Sequence, residues 1–265
     1  INRSLVPMSL RNIKIHPSMQ SIEVDRELGY NEPWKERFSI ELPVSLPYTT
    51  PYWLEEPAQN GMYQVSDQDL IGLPETPPQL QVDYTLEIME HQLTYSRAVT
   101  YKRNDPVKGE TYMPYAVVPP VSVSFDNDVM VFSRDEPRKL IVRVNPYRDS
   151  LKGKLRLVTP AGWRIEPKVQ SVDMKEMSPK DFVFTIWPPE GQSQEVLAPE
   201  IQLEGDPSGT YASQTLHIDY DHIPRQTLVL PAQLKLVKLE IETRAQRVGY
   251  IHGAGDVVPD GLRQM

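Results

Sequence analysis

The residue types that could bind a metal ion come together in one short run of the sequence. His217, Asp219 and Asp221 alternate along the chain, so on a β-strand their side chains would share one face and offer nitrogen and oxygen ligands to a cation. The run leads into Pro224, where a strand is expected to end. Because His and Asp are common on exposed strand faces, we favour the structural interpretation over a metal site.

A second group of residues could bind a sugar. Tyr48, Tyr52, Trp53 and Tyr63 lie in a proline-rich loop at residues 47–79, and aromatic faces suit the apolar faces of sugar rings. The loop is also long for a connection in a compact domain, so it needs side chains that fasten it to a sheet. We favour anchoring for these four residues and keep a carbohydrate-binding module as the alternative.

Motifs of nucleotide-binding and hydrolytic enzymes are incomplete. Gly253 and Gly255 begin a dinucleotide-type glycine pattern, but Val258 stands where the third glycine is required. Neither the serine-centred turn of α/β hydrolases nor a phosphate-loop lysine occurs. Tyr112 and Tyr115 lie near the expected domain boundary and raise the same choice between sugar stacking and anchoring. We predict no assembled catalytic set, so this chain is not expected to be an enzyme by itself.

The composition favours many short strands joined by proline turns. The chain has 26 Pro against 13 Gly, and 39% of its residues are hydrophobic, which is too apolar for disorder and too proline-rich for a mostly helical fold. A net charge of -8 argues against nucleic acid and against a polybasic membrane anchor as partners. No apolar run approaches the roughly 20 residues of a membrane helix, so no membrane span is predicted. The chain has no Cys, which excludes disulfides and thiolate metal ligands.

Alternating residues predict an all-β fold with two immunoglobulin-like β-sandwich domains in tandem. In one predicted strand Val82, Tyr84 and Leu86 share a face, and β-rich runs also occur at 11–15, 37–46 and 98–103. From residue 121 to residue 220 such runs recur at the spacing of about 8–12 residues that is typical of sandwich strands. The predicted domain bounds are 1–118 and 119–232.

Residues 233–265 predict a linker and then the truncated start of an α/β domain. We interpret 248–251 as a buried strand, 252–256 as a glycine turn, and 257–265 as the first turns of a helix with proline near its N-terminus. Ile1 is not an initiator methionine, and no charged-then-apolar leader precedes the first residues. We therefore expect the chain to be a piece of a larger protein.

Several motifs resemble one bacterial family. Residues 155–167 (LRLVTPAGWRIEP) and 177–189 (MSPKDFVFTIWPP) resemble the NEW3-type immunoglobulin-like domain that accompanies glycan-active bacterial enzymes. Further segments are similar to the region after the catalytic domain in large bacterial proteins of the PIG-L/LmbE-like deacetylase family. These segments are YTTPYWL at 48–54, VTYKRNDPVKGE at 99–110, YDHIPRQT at 220–227 and VGYIHGAGD at 248–256.

The resemblance implies a parent hydrolase that removes N-acetyl groups from sugars, with zinc in its catalytic domain and no cofactor in this chain. It also implies export from the cell, and it makes 248–256 similar to the first strand of an amidotransferase-like domain. The family's H-P-D-D loop is absent, because His16-Pro17 is followed by Ser18 and Met19, and no H-x-x-H pair occurs. No catalytic residue is therefore assigned.

The function that the resemblance implies is a non-catalytic accessory segment that spaces the catalytic domain or presents substrate to it. Its partners would then be other domains of the same chain, with a glycan as the ligand. Two alternatives stay open. One is a carbohydrate-binding module that uses the loop aromatics, and the other is a structural scaffold whose proline-rich loop docks a neighbouring domain or a second chain.

Overall fold

The computed structural model describes residues 1–43, 45–206, 209–241, 247–256 and 258–264. About 48% of the structure is strand and about 5% is helix, with several antiparallel sheets. The fold is all-β and sandwich-like, which confirms the predicted fold class. No helix in these ranges has the length and the apolar character that crossing a membrane requires.

The chain forms two compact units. The first comprises Ile1–Val118 together with Leu216–Leu228, and the second comprises Pro119–Thr215 together with Val229–Met265. The chain thus leaves the second unit near its C-terminal part, contributes a short segment to the first, and returns. The predicted domain bounds describe segments that would fold independently. Compactness does not test independent folding, so these bounds stay predictions.

The first unit is built on a four-stranded antiparallel sheet with the strand order β2-β1-β3-β4. Along β3, Tyr84 lies opposite Ile13 of β1, and Leu86 lies opposite Leu10. The alternation of β3 therefore places its apolar residues on the core face, as predicted. The strands are β1 (Met8–His16), β2 (Gln20–Glu27), β3 (Gln81–Ile88) and β4 (His91–Ala98).

Irregular chain covers this sheet where a second sheet would lie in a full sandwich. Trp34, Ile40 and Leu42 are partly buried against the core residues Leu10 and Ile13. The strand predicted at residues 37–46 was wrong, because the described residues of that run form no strand. Pro43 interrupts the run and Pro47 follows it directly, and a proline has no amide hydrogen to donate to a neighbouring strand.

The first unit also contains a hairpin and the long loop. The hairpin pairs β5 (Thr100–Asp105) with β6 (Gly109–Pro114). Two short 3₁₀ turns, at Tyr52–Leu54 and Gln68–Leu70, are the regular structure within the loop at residues 47–79.

The second unit is a β-sandwich whose larger sheet has the order β12-β10-β14-β18-β8, with β15 beside β14. The facing sheet has the order β11-β13-β9-β7. The sequence predicted most of these strands and missed β12 and the short β15. Their bounds are β7 (Val121–Phe125), β8 (Val129–Phe132), β9 (Arg138–Pro146), β10 (Leu151–Val158), β11 (Arg164–Glu166), β12 (Val169–Met174), β13 (Lys180–Trp187), β14 (Ser193–Leu203), β15 (Thr210–Tyr211) and β18 (Leu234–Lys238).

One large core lies between these two sheets. Leu155 of β10, Phe184 of β13 and Leu197 of β14 are among its most buried side chains. Trp163 is buried there with its ring edge-on to Phe132, and the ring centroids are 5.2 Å apart. Trp187, at the end of β13, is only partly buried, and the Arg164 guanidinium lies 3.9 Å from its ring centroid.

Close packing in the larger sheet explains one glycine. A Cβ added at Gly153 would lie 2.3 Å from the backbone oxygen of Gln202 on the adjacent strand β14. Such a distance is far shorter than a van der Waals contact between carbon and oxygen, and a backbone atom has little freedom to move away. Only glycine therefore fits at position 153 without a shift of the neighbouring backbone.

The C-terminal part contains a hairpin, irregular chain and one short helix. Strands β16 (Ser213–Ile218) and β17 (Gln226–Pro231) form a two-stranded sheet, and α1 spans Val258–Gln264. The helix confirms the prediction for that segment. The buried strand predicted at residues 248–251 was wrong, because those residues are exposed and form no strand. An extended segment becomes a strand only where a neighbour accepts and donates its backbone hydrogen bonds.

Candidate functional site

Side-chain hydrogen bonds tie the two ends of the long loop together. Thr49 Oγ1 donates to Gln79 Oε1 at 2.8 Å and accepts from the Val117 amide at 2.7 Å. Gln79 Nε2 in turn donates to the Pro47 carbonyl at 2.8 Å. These bonds hold the loop's ends against the segment that follows β6.

Tyr52 anchors the middle of the loop. Its hydroxyl donates to the Leu73 carbonyl at 3.0 Å, and its amide donates to Thr76 Oγ1 at 2.9 Å. The ring is buried and lies edge-on to Trp53, with 4.9 Å between the ring centroids. A buried ring with its polar atoms already bonded offers no face to a sugar.

The other three loop aromatics lie apart from the cleft described below. Tyr48 and Tyr63 are exposed, Tyr63 to 63%, and Trp53 is partly buried. None of the four predicted sugar-binding aromatics lines that cleft.

A cleft of about 550 Å³ lies within the first unit. We call it the tyrosine cleft, after Tyr112 and Tyr115, which line it. Its apolar walls come from the end of the long loop, from the β4–β5 connection and from β6. The lining includes Leu73, Pro74, Pro77, Leu80, Val99 and Pro114. The two tyrosines are exposed, so their rings are available to a ligand.

Arg225 is the cation that lines the tyrosine cleft. Its Nη1 atom lies 3.7 Å from Met113 Sδ, which is a weak acceptor. Its Nε atom is buried and has no hydrogen bond within the described residues, although Asp219 Oδ2 lies 3.9 Å away. A guanidinium has five N–H donors, and this one is 34% exposed, so it can donate to oxygen atoms of a bound molecule.

Polar side chains around Arg225 complete the cleft. Glu75 belongs to its lining and supplies a carboxylate acceptor, and Thr227 Oγ1 lies 3.2 Å from His217 Nδ1. Burial lowers the pKa of His217, the nearby positive charge of Arg225 lowers it further, and Asp219 opposes the shift. Burial and Arg225 therefore favour the neutral imidazole of His217 over its charged form.

The predicted metal ligands turn to different partners. Strand β16 ends at Ile218, so the alternation that was expected to place His217, Asp219 and Asp221 on one face stops before the two aspartates. Asp219 faces Arg225, and Asp221 pairs with Lys108, whose hydrogen bond lowers the pKa of Asp221. Within the ranges that the structure describes, no group of three His, Asp or Glu side chains could hold a metal ion.

We did not predict Arg225 as a site residue, and we left Tyr112 and Tyr115 open between stacking on a sugar and anchoring the chain. The one feature of the sequence that points to these residues is the concentration of prolines and aromatic residues in segments that lie together in the folded unit. Comparison with known proteins adds no further assignment. No protein-family model matches this chain, and a search of curated proteins found no match.

Proposed function

We propose that this chain is a non-catalytic accessory segment that holds a glycan in the tyrosine cleft of its first unit. The observation that supports this most directly is the cleft, whose volume of about 550 Å³ falls within the roughly 300–1,000 Å³ of small-ligand sites. A lining that is mostly apolar with a few polar groups is also typical of such sites.

The chemistry of the lining suits a sugar. A pyranose has C–H groups on its faces and hydroxyls around its edge, so it needs flat apolar surfaces together with donors and acceptors. Tyr112 and Tyr115 supply aromatic faces, Arg225 supplies donors and Glu75 supplies an acceptor. Glu75 and Arg225 give the lining no net charge, so it has no overall attraction for a charged ligand and suits a neutral one.

Calorimetric titration with soluble oligosaccharides of glucose, xylose, mannose and N-acetylglucosamine tests this proposal. Tyr115→Ala should weaken binding at least about tenfold, which corresponds to about 1.4 kcal/mol. Tyr112→Phe should keep binding, because the aromatic face remains, whereas Tyr112→Ala should lose it.

Variants of the long loop provide the matched control. If the tyrosine cleft is the site, Trp53→Ala and Tyr63→Ala should leave affinity unchanged. Loss of binding in those two variants alone would assign the glycan to the loop aromatics. Failure of the wild-type chain to bind any of the four sugar classes would contradict glycan binding.

The parent of this segment is a separate proposal, supported by the sequence resemblance to PIG-L/LmbE-like deacetylases. In that setting the tyrosine cleft would present sugar to a zinc-dependent catalytic domain elsewhere in the protein. The test is acetate release from N-acetylglucosamine oligosaccharides by the longer protein and by this chain, each with and without a zinc chelator. Activity of the longer protein alone, lost with chelator, is expected, and acetate release by this chain would overturn the accessory role.

A further inference from the structure

The sheet of the first unit has two edges, and they differ in how they are protected. Edge strands expose unpaired backbone groups, and natural proteins usually guard them with charges, bulges or a covering segment. Strand β2 has four charged residues, and the β1–β2 register shifts between Leu10 and Asn12. These features discourage another strand from pairing with β2.

Strand β4, at the other edge, has no bulge, and its one permanently charged residue is Arg97. It contains no Pro, Gly, Asp, Glu or Lys, and it pairs with β3 in an unbroken register from Gln81–Ala98 to Ile88–His91. All eight of its residues are exposed. Within the part of the chain that the structure describes, no strand pairs with the outer edge of β4.

An edge of the second unit shows how such backbone groups are otherwise satisfied. Strand β8 lies at the end of its sheet, and the Gln264 side chain of α1 covers it. Gln264 Oε1 accepts from the Val131 amide at 2.7 Å, and its Nε2 donates to the Val129 carbonyl at 3.4 Å. No described side chain makes a corresponding pair of bonds to the backbone of β4.

Beside β4 lies a groove of about 1250 Å³ on the apolar face of the sheet. Leu93 and Tyr95 of β4 continue that face and are 55% and 51% exposed. The covering residues Trp34, Ile40 and Leu42 pack over the sheet, yet they leave these two side chains open. Large apolar side chains on an exposed edge are typical of a binding surface.

The charges around the groove define what it would accept. Lys35, Arg37 and Arg97 line it together with a single acidic residue, Glu36. Arg97 stands two residues after Tyr95 on the same face, and its guanidinium lies 5.6 Å from the Tyr95 ring centroid. In a chain whose net charge is -8, this is a locally positive surface.

We propose that β4 is a strand-addition site for an extended segment of a different partner polypeptide. That segment has apolar residues on the face that meets Leu93 and Tyr95, and an acidic residue opposite Arg97. Main-chain hydrogen bonds to the free edge would supply affinity, and the groove would select the side chains. This surface differs from the tyrosine cleft, so the proposal does not depend on glycan binding.

Two short synthetic peptides test the proposal. Each peptide alternates Thr and Val, so that as a strand it has Thr on one face and Val on the other. At one end of the valine face, one peptide has Glu and the other has Lys. Fluorescence anisotropy with the full chain should show the Glu peptide binding about tenfold or more tighter than the Lys peptide. Hydrogen exchange should become slower in β4 on binding and stay unchanged in β2.

Variants make the test specific. Arg97→Glu should reverse the preference between the two peptides, and Tyr95→Lys should remove binding of both while circular dichroism shows the fold intact. Arg148→Glu, the same change of charge at an exposed site in the second unit, should leave the preference as in the wild type.

Three outcomes would overturn the proposal. One is that neither peptide binds. Another is that both bind equally, with no response to Arg97→Glu. The third is dimerisation of the chain in sedimentation experiments that Tyr95→Lys abolishes, because a second copy would then occupy the edge.

Discussion

In the second unit, β10 alternates buried and exposed residues without a break, and the facing strand β13 supplies Phe184 to the same core. In the first unit, four buried residues form the core cluster: Leu10, Ile13, Ile15 and Leu80. Around them lie partly buried residues from irregular chain, including Trp34 and Ile40. The two units are both β-rich, yet one closes its sheet with another sheet and the other closes it with loops.

This difference explains where the surface features of the molecule lie. A sheet packed on a sheet excludes solvent from its whole inner face, because side chains of both layers interdigitate. Loops cover a sheet less completely, since their backbone groups need hydrogen-bond partners of their own. The tyrosine cleft and the groove beside β4 both belong to the first unit, where the covering layer is irregular.

The largest effect that tests this contrast is expected from Phe184→Ala. The side chain is 1% exposed, so its loss should reduce the free energy of unfolding of the second unit by about 3–5 kcal/mol. The matched change in the first unit is Phe38→Ala, at an exposed phenylalanine, which should cost only about 0.5 kcal/mol. Hydrogen exchange in β13 reports the stability of the second unit, and exchange in β3 reports the stability of the first. Equal losses of unfolding free energy in the two variants would refute the contrast between the units.

A smaller effect is expected from Tyr52→Phe, which tests whether hydrogen bonds hold the loop of the first unit. The change removes the donor to the Leu73 carbonyl and should cost about 1 kcal/mol locally. Limited proteolysis within residues 49–80 should become faster. Tyr63→Phe, at an exposed tyrosine, is the control and should leave the cleavage rate unchanged; identical rates for both variants would mean that Tyr52 is no anchor.

The smallest effect concerns acid sensitivity of the sheet in the first unit. Asp83 on β3 accepts a hydrogen bond from Ser96 Oγ at 2.6 Å and lies 2.7 Å from His16 Nε2. The hydrogen bond from Ser96, and then the one from His16, lower the pKa of Asp83. A carboxylate with a lowered folded-state pKa stabilises the fold above its unfolded-state value of about 3.9 and loses that contribution as the pH falls through the folded-state value.

Asp83→Asn should therefore lower the thermal midpoint of the first unit slightly at neutral pH and weaken its further fall on acidification below about pH 4. Glu90→Gln, at an exposed residue in the β3–β4 turn, should leave the acid response as in the wild type. If Asp83→Asn and wild type lose stability in parallel on acidification, Asp83 does not contribute to the acid sensitivity.

Local sequence predicted the strands wherever alternation was regular. The face of β3 and the recurring strands of the second unit follow from side-chain periodicity alone, and α1 follows from the proline near its N-terminus. β12 was missed because its buried residues, Val172 and Met174, occupy only its second half. Residues 37–46 were mistaken for a strand because β-prone composition does not supply a pairing partner.

The candidate site was less predictable than the fold, for a reason of distance along the chain. Thr49, Tyr115 and Arg225 line one cleft but come from segments widely separated in sequence. Alternation suggested a shared face for His217, Asp219 and Asp221, and that suggestion failed because β16 ends before Asp219.

The sequence by itself determined the all-β class, the strand periodicity and the need to anchor a long proline-rich loop, because these depend on backbone preferences and on local apolar patterns. Only the tertiary structure decided which aromatic residues are buried, which tyrosines share a cleft with Arg225, and which sheet edge is left open. Those properties depend on which strands pair and on what covers them, and no single segment contains that information.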